Sequence, residues 1–187
     1  MAGNGTKNDT PNAQPPVAHP SGWASGDSAE LKGTDMTHWK YNDGGRQDAG
    51  RKGETRDCVA RAITIATGLS YQDIYERLAE GNATQRRGKY DSAASGTRSA
   101  SKGIHTDRKW FKDLMQGLGF TWHPTMEVGS GCKVHLRADE LPKGRLVCKV
   151  SRHYVAVIDG IIQDTHDCSR QGTRCVYGYW KFEEVTA

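Results

Sequence analysis

His153-Tyr154-Val155-Ala156-Val157-Ile158-Asp159-Gly160-Ile161-Ile162-Gln163-Asp164 is the stretch on which the fold turns. Two runs rich in β-branched residues flank Asp159-Gly160, a pair that readily adopts the left-handed backbone of a two-residue hairpin turn. The pattern predicts strands over His153–Ile158 and Ile161–Asp164, paired antiparallel. If Ile158 faces Ile161, then Asp164 faces Val155. Alternation puts His153 on the face of Val155 and Val157. His153 and Asp164 then become diagonal neighbours about 7–8 Å apart at the backbone, within reach of each other's side chains.

Working outward, Arg145–Val150 and the segment from Cys175 to Phe182 read as further strands, Phe120-Thr121-Trp122 as a short one and His135-Leu136-Arg137 as a fragment. Ala138–Pro142 reads as a helical turn stopped by proline, with Lys143-Gly144 turning the chain after it. Upstream the period changes from two to between three and four. Val59, Ala62, Ile63 and Ala66 form an apolar stripe from Asp57 to about Thr67, ended by Gly68. Ser70 caps a second expected helix over Tyr71–Glu80, with Gly81 after it. Thr106 is the expected cap of a third, whose stripe is Trp110, Phe111, Leu114, Met115 and Leu118. Helices followed by an antiparallel sheet give an α+β class.

The chain of 187 residues is long enough for one domain with a sizeable core. Residues 1–37 carry few large apolar side chains and are expected to be a disordered tail, or one held by a protein assembly. The domain is expected over 38–187, beginning with a basic, glycine-rich loop from His38 to Thr55 that carries the turn Asn42-Asp43-Gly44-Gly45. A flexible basic insertion is expected near 82–104. From Arg86 to Lys112 there are eight Lys/Arg against two Asp, but no interleaved aromatics for stacking bases. With a net charge of only +4, a nucleic-acid partner is not expected. No apolar run approaches the ~18 residues of a membrane span, and no export signal opens the chain. A cytoplasmic location follows, and the five irregularly spaced cysteines fit reduced thiols better than a disulfide framework.

Cys58 opens the first expected helix. There the macrodipole favours a thiolate, and unpaired backbone N–H groups point where an oxyanion would form. His153 on its strand is a candidate base for that thiol. Asp164 is the carboxylate that would orient the imidazole. Asp164, His166, Asp167, Cys168 and Cys175 form a competing donor cluster for zinc, but CxxC and HxxxH spacings are missing, so neither a metal nor a cofactor is expected. Cys132, Cys148 and Cys175 read as core or surface thiols.

Asp57-Cys58-Val59-Ala60-Arg61-Ala62 and His153-Tyr154-Val155-Ala156-Val157-Ile158-Asp159-Gly160 resemble motifs of the papain-like cysteine hydrolases. They are most similar to bacteriocin-leader peptidases and to a group of uncharacterised bacteriophage proteins. The resemblance covers about residues 40–182. It implies a papain-like fold, a Cys58–His153–Asp164 triad and a peptide or protein substrate cleaved at a peptide, isopeptide or other amide bond. Acyl transfer to an amine would use the same triad. A phage origin would place the protein in the host cytoplasm or the virion. It would also admit a non-catalytic structural or interaction protein that kept the fold. Where those peptidases carry an oxyanion glutamine, this chain has Lys52. Gln47, Lys52 and Asp57 are the oxyanion or substrate candidates, with Thr55 and Arg56 as further donors.

Overall fold

Among the described residues, three helices and six strands follow the order β1 (Trp39–Tyr41), α1 (Cys58–Thr67), α2 (Tyr71–Ala83), α3 (Lys109–Gly117), β2 (Phe120–Pro124), β3 (Arg145–Val150), β4 (His153–Ile158), β5 (Ile161–Asp164) and β6 (Val176–Phe182). This computed structural model describes residues 38–53, 55–86 and 96–183, all within the unit Thr34–Ala187. The expected tail 1–37 and the centre of the expected insertion, 87–95, lie outside the described residues. Among the described residues no helix is long and apolar enough to cross a membrane.

The β4–β5 hairpin has the register counted from its turn, Ile158 opposite Ile161 and Val157 opposite Ile162. Asp159 and Gly160 both take positive φ, 51° and 87°, as a turn matching the twist of paired strands requires. The sheet is mixed, not wholly antiparallel, with order β1-β5-β4-β3-β6-β2. β1 lies parallel to β5, Trp39 beside Ile162 and Tyr41 beside Asp164. It occupies the start of the segment expected to be a loop. Three residues are too few for periodicity to register, and the partner strand is distant in sequence.

Alternation along the strands feeds two apolar layers. On one face Val147, Tyr154, Ala156 and Trp180 pack with Val59, Ile63 and Ala66 of α1 and with Phe111 and Met115 of α3. Burying a side chain such as Ile63 contributes about 1.5–3 kcal/mol, and the stripe read from the sequence is the stripe that is covered. On the other face Leu146, Cys148, Val155, Val157, Ile162 and Val176 lie under Leu136, Leu141 and Cys168, which come from irregular segments. Cys132 and Cys175 are joined by a disulfide, correcting the expectation that both are free thiols. The backbone bridge between His135 and Cys175 brings the two segments together.

Helix boundaries differ from expectation at two places. α2 runs through Gly81 to Ala83. Gly81 does not stop the helix; it lets the Trp110 ring lie against the backbone where a Cβ would overlap it. α3 begins at Lys109 with Arg108 as N-cap, not after Thr106. Gly68 ends α1 in the left-handed conformation, φ 74°, and Ser70 Oγ accepts the Asp73 N–H at 3.1 Å as the N-cap of α2. Outside 87–95 the expected insertion is anchored. The buried Asn82 donates to the Ser99 carbonyl at 2.8 Å, Ala100 is buried, and Arg56 N–H donates to the Ser101 carbonyl at 2.9 Å.

Candidate active site

The N-terminus of α1 meets the end of the sheet where β4 starts and β5 finishes, and the three chemistry-bearing residues come together there. Cys58 is the first residue of α1 and is half-buried. The N-cap, Asp57, makes no side-chain capping bond, so its carboxylate does not cover the first-turn N–H groups beside the sulfur. His153 Nε2 lies 2.5 Å from Asp164 Oδ2. The Cys168 sulfur lies within 4.8 Å of a ring nitrogen of the same imidazole, and the Cys58 sulfur is near enough to act on its charge.

Burial opposes a charged imidazole, but the Asp164 carboxylate and the Cys168 and Cys58 sulfurs beside it outweigh that and raise the His153 pKa well above the ordinary histidine range. Burial likewise works against an ionised Asp164. The His153 bond and charge, the Thr165 N–H and the Arg61 guanidinium overcome it and hold the carboxyl below the usual carboxylate range. The pair is therefore an imidazolium beside a carboxylate at neutral pH.

Arg61 had no assigned role in the sequence, yet it joins the helix to this pair. It is 8% exposed. Its Nε lies 3.1 Å from Asp57 Oδ1, while Nη1 lies 3.0 Å from Asp164 Oδ1 and donates to Thr165 Oγ1 at 2.7 Å. The signal available was a cation one turn after Asp57, set among the apolar residues of α1. Asp57 itself is 1% exposed and held by Arg61, by Arg46 at 2.9 Å and by the Tyr71 hydroxyl at 2.5 Å. With both carboxyl oxygens engaged in this way, the Asp57 side chain acts as a structural anchor.

Cys58 and His153 open onto a cleft of about 860 Å³, lined also by Thr55, Arg56, Lys102, Lys149, Arg152 and His166. Gln47 and Lys52 line a different hollow, together with Asp43, Arg46 and Asp57. The structure therefore brings Cys58, His153 and Asp164 together and leaves these two oxyanion candidates apart from them.

The donor atoms of His153, Asp164 and Cys168 lie within 4.8 Å of one another and are the set among the described residues that could hold a metal. This is not the cluster read from the sequence, because Cys175 is in the disulfide. The Arg61 guanidinium on the same carboxylate opposes a divalent cation there. Searches against protein-family models, curated proteins and solved structures return no match for this chain.

Proposed function

We propose that the chain is a papain-like thiol hydrolase that cleaves a peptide, isopeptide or other amide bond through a thioester on Cys58. The observation that supports this most is the His153 imidazole, bonded to the Asp164 carboxylate and opening with Cys58 onto one cleft at the N-terminus of α1. Asp164 occupies Nε2, so Nδ1 is the nitrogen left to exchange a proton with sulfur.

In the proposed reaction His153 already holds the proton given up by Cys58, and the thiolate attacks the substrate carbonyl carbon. Charge moves onto the carbonyl oxygen, where first-turn N–H groups of α1 stabilise it. Collapse breaks the carbon–nitrogen bond as His153 returns the proton to the leaving amine. Water, deprotonated by the same imidazole, then releases the acid from the thioester. An amine in place of water would give acyl transfer.

Among the further donors, Thr55 and Arg56 line the cleft. Thr55 Oγ1 donates to the Ser101 carbonyl at 3.0 Å, which leaves Arg56 as the side chain available to complete the oxyanion site.

The test compares iodoacetamide alkylation of Cys58 with that of a small free thiol at pH 6, in the wild type and His153→Ala, alongside turnover of a peptide and amide library by wild type and Cys58→Ala. A hydrolase gives accelerated alkylation that His153→Ala abolishes, and turnover that Cys58→Ala abolishes. Alkylation no faster than the free thiol, with no turnover, would favour a non-catalytic interaction protein.

A further inference from the structure

The cleft beside Cys58 has an unusual charge. Arg56, Arg61, Lys102, Lys149 and Arg152 line it, with His105, His153 and His166, and no Asp or Glu is among the lining residues. Two of the cations are already matched: Arg61 by Asp57 and Asp164, and Lys149 by Asp107 at 2.5 Å. Arg56, Lys102 and Arg152 form no ion pair among the described residues. They come from three separate places: the residue pair before α1, the segment before α3 and the turn between β3 and β4. A solvated charge run would lie along one element. Here the charges converge on a concavity that holds a thiol, where low-dielectric walls focus their field.

Arg152 adds an independent observation. It immediately precedes His153 and holds φ at 58°, a left-handed conformation that costs a non-glycine residue on the order of 1 kcal/mol. Glycine would relieve that strain, and the chain instead places there an arginine that lines the cleft.

We infer that this cleft is an anion subsite that takes a carboxylate of the substrate peptide next to the bond to be cleaved. The inference deepens the proposed hydrolase and rests on it. Lys102 and Arg152 are the residues that recognise the carboxylate, and the substrate class is an acidic peptide or protein segment.

Iodoacetate and iodoacetamide test this directly, because they deliver the same carbon to sulfur and differ in one carboxylate. The rate constants for Cys58 in the full chain are measured by mass spectrometry, and their ratio is divided by the ratio for 2-mercaptoethanol. The expected normalised preference for iodoacetate is about tenfold at low salt, collapsing in about 0.5 M salt as the charges are screened. Lys102→Glu reduces the preference severalfold. Arg152→Gly also reduces it, while relieving backbone strain, so misfolding cannot account for the loss. A normalised ratio near one in the wild type overturns the subsite. That outcome is distinct from failure of the hydrolase, which is read from the iodoacetamide rate alone. Protection by N-acetyl-aspartate α-amide against protection by N-acetyl-alanine assigns the carboxylate to a side chain or to a chain end.

Discussion

Replacing Arg61 by Met probes the link between helix and sheet. The side chain bridges two buried carboxylates, Asp57 and Asp164, which are 1% and 4% exposed. Removing one partner of a buried ion pair costs about 3–5 kcal/mol. Each carboxylate keeps other partners: Arg46 and Tyr71 for Asp57, His153 and the Thr165 N–H for Asp164. The expected loss is therefore at the lower end, about 3 kcal/mol. With a urea slope of about 2 kcal/mol/M, the unfolding midpoint falls by about 1.5 M. Tryptophan fluorescence reports it, since Trp122 and Trp180 pack together against the sheet. The sign with pH follows from Asp164, whose folded carboxyl is held below its ordinary range. Its stabilisation is complete above about pH 4 and is lost as pH falls through the folded value, so the gap between wild type and variant narrows in acid. Arg61→Lys keeps one charge but cannot bridge both carboxylates, and recovers part of the loss. A midpoint shift under about 0.5 M at pH 7 for Arg61→Met would refute the bridging role.

Asp164→Asn removes the charge that holds His153 protonated. The imidazole titration followed by NMR returns toward the ordinary histidine range, and Cys58 alkylation slows by about 100-fold. In the wild type the His153 contribution to stability is complete below about pH 6.5 and is lost only as pH rises through the raised folded value. Asp164→Asn therefore loses the most stability between about pH 4 and 6.5, measured by urea titration across that range. Gly81→Ala destabilises by about 1–3 kcal/mol despite a better helix propensity, because the new methyl meets the Trp110 ring; thermal denaturation reads it. Reducing the Cys132–Cys175 disulfide opens a loop of sequence separation 43 and lowers stability by up to about 4 kcal/mol, measured by urea unfolding with and without reductant.

The parts legible in the sequence were those whose signal is local. The Asp159-Gly160 turn fixes the β4–β5 register, and with it the meeting of His153 and Asp164. The apolar stripe of α1 fixes which face Cys58 leads into. Features set by tertiary contact were not legible. β1 takes its identity from a partner more than a hundred residues away. Gly81 reads as a helix stop until Trp110 is seen against it. Cys132 and Cys175 carry no spacing motif, and their pairing depends on two irregular segments meeting through the His135–Cys175 bridge. Arg61 carried no assigned role because Asp164, one of its partners, lies 103 residues further along the chain.

The parallel strand β1 also bears on the order in which the molecule can form. The β4–β5 hairpin closes through two residues, and α1 and α2 follow each other closely, so these units gain their contacts at small loop-closure cost. β1 pairs Trp39 with Ile162 across 123 residues, a non-local contact of the kind that slows folding. Trp39 Nε1 donates to the Asp164 carbonyl at 3.2 Å, and Asn42 N–H to the same oxygen at 3.0 Å. The backbone of the orienting carboxylate is therefore fastened by the pairing with the longest loop to close. Secondary structure and core can assemble ahead of a competent site, so a refolding experiment should recover tryptophan burial before Cys58 reactivity.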